Sequence, residues 1–196
     1  MFERTRHLLA RHCQGLRDRS DPALDWDLAQ EALRRLSQMD RLLELVGELD
    51  YESRQIIGAI GHYARYEQGE PPKPEMFHRV RAIGQDVELF TEAFYFVAFR
   101  FREVVRQIPG LKKFEAQGVR DVRNQLIVHP EGTSRVLENS FKHGGPEGPV
   151  VKALRRDDQQ DISPDRGLLV NAADLRDELE RRLARQGDAG HATGDQ

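Results

Sequence analysis

The stretch LFTEAFYFVAFRFREVVRQI, residues 89–108, decides the fold. Phe90, Phe94, Val97, Phe101, Val104 and Ile108 recur three and four positions apart, which is the period of an α-helix. Phe96 and Phe99 add apolar surface off that stripe. A helix apolar on more than one side is central in its bundle or lies at a subunit interface. The spacing predicts a helix over 76–108, stopped by Pro109-Gly110. Ahead of it, Gln68-Gly69-Glu70-Pro71-Pro72-Lys73-Pro74 excludes helix and reads as a stiff linker.

Working back from the linker, a helix over about 51–67 carries Ile56, Ile57, Ile60 and Tyr63. A longer one precedes it, with Asp25 as its N-cap and Leu28, Ala32, Leu36, Met39, Leu43 and Val46 on its apolar face. Gly47 and Asp50 predict a break or bend between the two. Residues 2–17 form a first short helix with Phe2, Leu8, Leu9, Cys13 and Leu16, ended by the charged run to Pro22.

Working forward, VRDVRNQLIVHP, residues 119–130, is a short helix with Val119, Val122 and Leu126 on one stripe. The character then changes. Arg135–Phe141, Val150–Leu154 and Leu168–Val170 are short and separated by Gly/Pro loops, the pattern of a small antiparallel β-meander. Asn171 caps a last helix with Leu175, Leu179 and Leu183 on its apolar face. Residues 187–196 are small and polar and read as disordered. The expected fold is mainly α. It comprises an N-terminal helical segment (1–22), an antiparallel helical bundle (23–132), a C-terminal β-meander with a final helix packed on the bundle (133–186), and a tail (187–196).

With 196 residues the chain can build one substantial domain. A net charge of −3 argues against a protein that is basic all over, so any nucleic-acid contact must come from local patches. One cysteine, Cys13, excludes an internal disulfide and a thiolate metal framework. The N-terminus opens on charges with no apolar signal core, and the longest uncharged apolar run, Ala93–Phe99, is far too short to span a bilayer. A soluble cytoplasmic protein with no membrane partner is expected.

The chemistry centres on Arg123, Asn124 and His129. A histidine near neutrality can take and give protons. A guanidinium can hold a phosphate in two places and stabilise charge that builds on it. Asn124 can orient either partner. Together these groups can cleave RNA without a metal or other cofactor, the histidine drawing the proton from a ribose 2′-hydroxyl while the arginine holds the phosphate.

Arg123, Asn124, four further residues and His129 resemble the motif of the HEPN superfamily (higher eukaryotes and prokaryotes nucleotide-binding domain). Its ribonuclease members carry an arginine, four to six residues and a histidine, often with a polar residue directly after the arginine. The resemblance implies an antiparallel helical bundle, matched here to residues 25–130. It also implies a homodimer that brings two motifs to a shared cleft, an RNA substrate, and a toxin–antitoxin or phage-defence setting with an antitoxin protein as partner. The same Arg/His spacing occurs at Arg6/His12 and at Arg185/His191. Only the middle pair has Asn after Arg, sits in an apolar helical pattern and follows two long helices.

Six positions rotate an ideal helix by about 240°, so Arg123 and His129 do not share a face. Pro130 disfavours helical backbone at His129. The alternative reading pairs Arg123 with an acid and makes His129 a C-terminal helix cap.

Between Arg100 and Arg123 the cations Arg100, Arg102, Arg106, Lys112, Lys113, Arg120 and Arg123 face only Glu103, Glu115 and Asp121. This is a candidate footprint for an RNA backbone, or else a solvated helix face. The aromatic run Phe94–Phe96 with Phe99 and Phe101 reads as packing rather than base stacking. Glu75 and His78 have the spacing of carboxylate-bridged metal helices, but no second pair accompanies them, so no metal is expected. Two functions compete: a metal-independent endoribonuclease, and a non-catalytic helical module that dimerises or binds a partner through helix 76–108.

Overall fold

The computed structural model describes residues 1–67, 69–126, 137–142, 150–155 and 167–191. Among the described residues the protein is mainly helical, with five helices: α1 (Glu3–Asp18), α2 (Trp26–Tyr66), α3 (Pro74–Val105), α4 (Gln117–Leu126) and α5 (Leu168–His191). The frame is the antiparallel hairpin of α2 and α3, whose long faces pack on one another.

Asp25 caps α2 as expected, its carboxylate accepting from the amides of Asp27 at 2.9 Å and Leu28 at 3.4 Å. The expected break at Gly47 and Asp50 does not occur. α2 is continuous over 41 residues, about 60 Å. Asp50 ties forward to Arg54 at 2.8 Å, one turn on, and the apolar register continues from Val46 through the half-buried Leu49 and Ile56 across the glycine. One glycine costs a helix only about 1 kcal/mol, which packing along its length offsets. Pro74 takes the first position of α3, where its missing N–H is no loss.

The near half of the hairpin carries the core. Phe2, Leu9, Cys13 and Leu16 of α1 join Ala32, Leu36 and Met39 of α2, Phe94, Ala98 and Phe101 of α3, and Leu175, Leu179 and Leu183 of α5 in one cluster. Residues 1–22 therefore share the core of the bundle. The chain's amino group and the Phe2 amide both donate to Asp40 at 2.9 Å, fixing the start of α1 on α2. The far half is thinner: between 47 and 90 only Ser53, Ile83 and Val87 are buried among the described residues.

The three-stranded meander is corrected by the C-terminal elements. β1 (Leu137–Lys142) and β2 (Val150–Arg155) form a two-stranded antiparallel ladder, Leu137 opposite Arg155 and Lys142 opposite Val150. The third expected strand, Leu168–Val170, is the first turn of α5. The reason is the longer period: Leu168, Ala172, Leu175, Leu179 and Leu183 are all buried at helical spacing, and that outweighs the β preference of a three-residue run. Asn171 accordingly lies inside α5 rather than at its cap, its amide bonded to the Gly167 carbonyl at 3.2 Å. α5 continues past Gly187 to His191, into the stretch expected to be a tail. Among the described residues no helix is long and apolar enough to cross a membrane.

Candidate functional site

α3 ends in a tight turn where Gly110 takes φ +82°, a conformation only glycine enters freely. The chain then steps through two short bonds, Leu111 N to Ile108 O at 3.0 Å and Phe114 N to Leu111 O at 2.9 Å. Phe114 meets Phe101 edge-on, with ring centroids 6.1 Å apart. This plug sets where α4 begins. Val119 and Val122 are buried, so α4 is seated on the bundle by two residues of the expected stripe, and the Leu126 side chain lies outside what is described. Arg123 and Asn124 occupy its last full turn. At about 100° per residue, position 124 is opposite the valine stripe and position 123 is on its flank. The described helix ends at Leu126, and His129 lies outside the described residues.

The basic segment is not an open row of cations. Arg102 is only 6% exposed in its side chain. Its guanidinium donates to Glu115 at 3.1 Å and 2.5 Å and also to Glu103. Arg106 lies 3.6 Å from the same Glu115 and donates to the Lys112 carbonyl at 3.3 Å. Glu115 is held below the usual carboxylate range, first by the Arg102 hydrogen bond and then by the fields of Arg102, Arg106 and Arg120. Three of the six expected RNA-contacting cations thus gather around one acid. Arg100, Lys112 and Lys113 are exposed.

Sequence reasoning missed a buried polar pair beside α4. Asn171 donates its amide to the Tyr95 hydroxyl at 2.8 Å, and both residues are buried. Burial pushes the Tyr95 hydroxyl up to about 12. Gly118, in the first turn of α4, packs so close that a Cβ there would sit 2.3 Å from the Asn171 side-chain oxygen. The signal was a lone asparagine at core spacing between Leu168 and Leu175. Next to this contact a cavity of about 820 Å³ opens between α4 and α5, lined by Gln117, Gly118, Asn171, Asp174, Asp177 and Arg181. Its rim is more acidic than basic, which does not suit a phosphate.

Cys13 is buried, and burial pushes its thiol up to about 11, so it is no nucleophile at neutral pH. Glu75 and His78 are exposed at the start of α3. No group of three or more metal-ligating side chains is found among the described residues.

No protein family, curated protein or solved structure matches this chain.

Of the other two Arg/His pairs, the first is accounted for by its contacts, and the second has the same six-position spacing on one helix as the chosen pair would have. Arg6 donates to Ser37 at 3.0 Å, and His12 Nε2 contacts the Pro109 carbonyl at 2.9 Å, so each is tied to its own structural partner. Arg185 and His191 both lie on the continuous α5, about 240° apart around its axis.

Proposed function

We propose that this protein is a HEPN-like, metal-independent endoribonuclease acting as a homodimer, in a toxin–antitoxin or phage-defence setting. The observation that carries the reading is the seating of α4. Positions 123 and 124 stand on a helix anchored by two buried valines, off the buried stripe, while Arg6 and His12 of one competing pair are each engaged elsewhere.

In this reading His129 takes the proton of a ribose 2′-hydroxyl as its oxygen attacks the adjacent phosphorus. Arg123 holds the phosphate and stabilises the added charge, and Asn124 orients the pair. The bond from phosphorus to the 5′-oxygen breaks, and that oxygen takes a proton from solvent water as it leaves, while His129 keeps the 2′-hydroxyl proton until it passes it back to water. The products are a 2′,3′-cyclic phosphate and a 5′-hydroxyl. Mass spectrometry of cleaved RNA tests this. Cyclic phosphate ends are expected, and primary 5′-phosphate ends would refute a 2′-hydroxyl attack. Arg100, Lys112 and Lys113 remain exposed for RNA, whereas Arg102 serves packing.

The dimer is supported by α3. Leu89 and Phe96, 59% and 55% exposed, stand seven residues apart on one side, flanked by the half-buried Phe90 and Val97. A second reading, a non-catalytic dimerisation or partner-binding module, is favoured by the gathering of Arg102, Arg106 and Arg120 about Glu115.

A further inference from the structure

Several arginines of this protein are paired with acids along their own helix, as Arg34 and Arg35 are with Glu31, Arg41 with Glu44, and Arg182 with Glu178. Arg11 and Arg19 have no such partner among the described residues. Both border a groove of about 440 Å³ between α1 and the C-terminal half of α5. Arg4 stands on the same rim. The single acid there, Glu180, is already engaged. It accepts from Thr5 Oγ1 at 2.7 Å and lies 3.5 Å from Arg4. The groove is therefore cationic on a protein whose net charge is negative.

Its shape is built as well as its charge. Gly15 lies in the last turn of α1, where a Cβ would meet only the Arg19 guanidinium at 3.8 Å. The glycine leaves the groove open between Arg11 and Arg19. His12 is fixed on one wall by its bond to the Pro109 carbonyl, which leaves its other ring nitrogen free of that contact. Arg4, Arg11 and Arg19 are seven and eight residues apart, so the cations extend over about 22 Å along α1. A lone phosphate or a mononucleotide cannot meet all three. A linear polyanion can, and guanidinium forks match phosphate oxygens bidentately.

We propose that the α1–α5 groove binds the phosphate backbone of single-stranded RNA through Arg4, Arg11 and Arg19, with His12 on its wall. RNA as the polyanion rests on the nuclease reading; the cationic groove itself does not. α5 connects the two regions: Asn171 touches α4 near one end, and Gln186 borders the groove fifteen residues on, about 22 Å away. A strand held in the groove would run along α5 toward α4.

The test is fluorescence anisotropy of a labelled 2′-O-methyl RNA strand, which has no 2′-hydroxyl to attack, titrated at several salt concentrations. Each phosphate contact on a single strand contributes about −0.7 to the slope of log K against log salt. Arg11→Gln/Arg19→Gln should make the slope shallower by about 1.4 and weaken low-salt binding about tenfold or more. Arg11→Lys/Arg19→Lys keeps the charge and should keep the slope. An unchanged slope in the glutamine variant, or an equal loss in the lysine variant, overturns the proposal. Displacement by polyglutamate as readily as by RNA overturns it in favour of an acidic protein partner. Because the strand cannot be cleaved, binding here with no cleavage of ordinary RNA would sink the nuclease reading and leave the groove standing.

Discussion

Arg102 and Glu115 meet at 2.5 Å, the guanidinium almost wholly buried and the carboxylate partly open to solvent. This contact joins the end of α3 to the segment leading into α4, and so holds the motif helix in place. Glu115→Gln should remove the charge that Arg102 needs and leave only Glu103 opposite it. The expected loss is about 1 kcal/mol in urea unfolding, because Glu115 is partly open to solvent, which screens the pair. Because the folded carboxyl is held below the ordinary 4.5, its contribution is present above that pH and disappears as pH falls through the folded value. The glutamine variant should lack this part of the acid-side decline. Equal stability of the two proteins throughout that range would contradict the assignment.

The burial of Tyr95 makes the opposite pH prediction. Tyr95→Phe leaves the Asn171 amide without its buried acceptor, and should cost about 1–3 kcal/mol. Burial raises the hydroxyl from 10 to about 12 against the Asn171 hydrogen bond, which favours the phenolate, so the stability that the buried neutral Tyr95 contributes is full below pH 10 and is lost as pH rises toward 12. Denaturation curves across that window should show the decline in wild type and a weaker one in the phenylalanine variant. Identical alkaline profiles would show that Tyr95 does not carry it.

Much of this architecture was legible because it is local. The three-and-four spacing located α1, α2 and α3, and Asp25 announced its helix because a carboxylate cap acts within two or three residues. Gly47 misled because a local breaker was weighed without the long apolar register that runs past it. Leu168–Val170 misled because three residues fit either period. The state of Arg102 could not be read from charge counting, since it depends on Glu115 folding back from thirteen residues away. Tyr95 and Phe96 are neighbours off the main stripe, yet only Tyr95 is buried. Tyr95 shares the buried face of α3 with Thr91, Ala98 and Arg102, where Asn171 meets it from 76 positions later, and Phe96 lies one position beyond that face.

Two glycines should respond in opposite directions to the same change. Gly118→Ala drives a methyl against the buried Asn171 oxygen and should destabilise by about 1–3 kcal/mol. Gly47→Ala meets nothing within 4 Å and should stabilise α2 by about 0.5–1 kcal/mol. Thermal unfolding of both variants checks the pair. A neutral Gly118→Ala would mean that the α4–α5 approach is not as close as described.

The exposed side of α3 predicts association. Leu89→Asp/Phe96→Asp places two charges where an apolar partner surface is expected, with no buried contact disturbed. Sedimentation should find wild type dimeric and the double variant monomeric, each with the same helical content. A monomeric wild type at high concentration would remove the shared cleft from the account.

The central claim is that Arg123 and His129 carry RNA cleavage, and the rate of cleavage of a mixed-sequence single-stranded RNA in EDTA tests it most directly. Wild type should cleave, since the proposed chemistry uses side chains alone. His129→Ala, measured beside it at matched helical content, should be slower by about 10²–10⁴-fold, the usual cost of losing a general acid–base group, and Arg123→Ala should fall with it. Intact RNA with the wild-type protein, or variants that cleave as fast as wild type, would contradict the account.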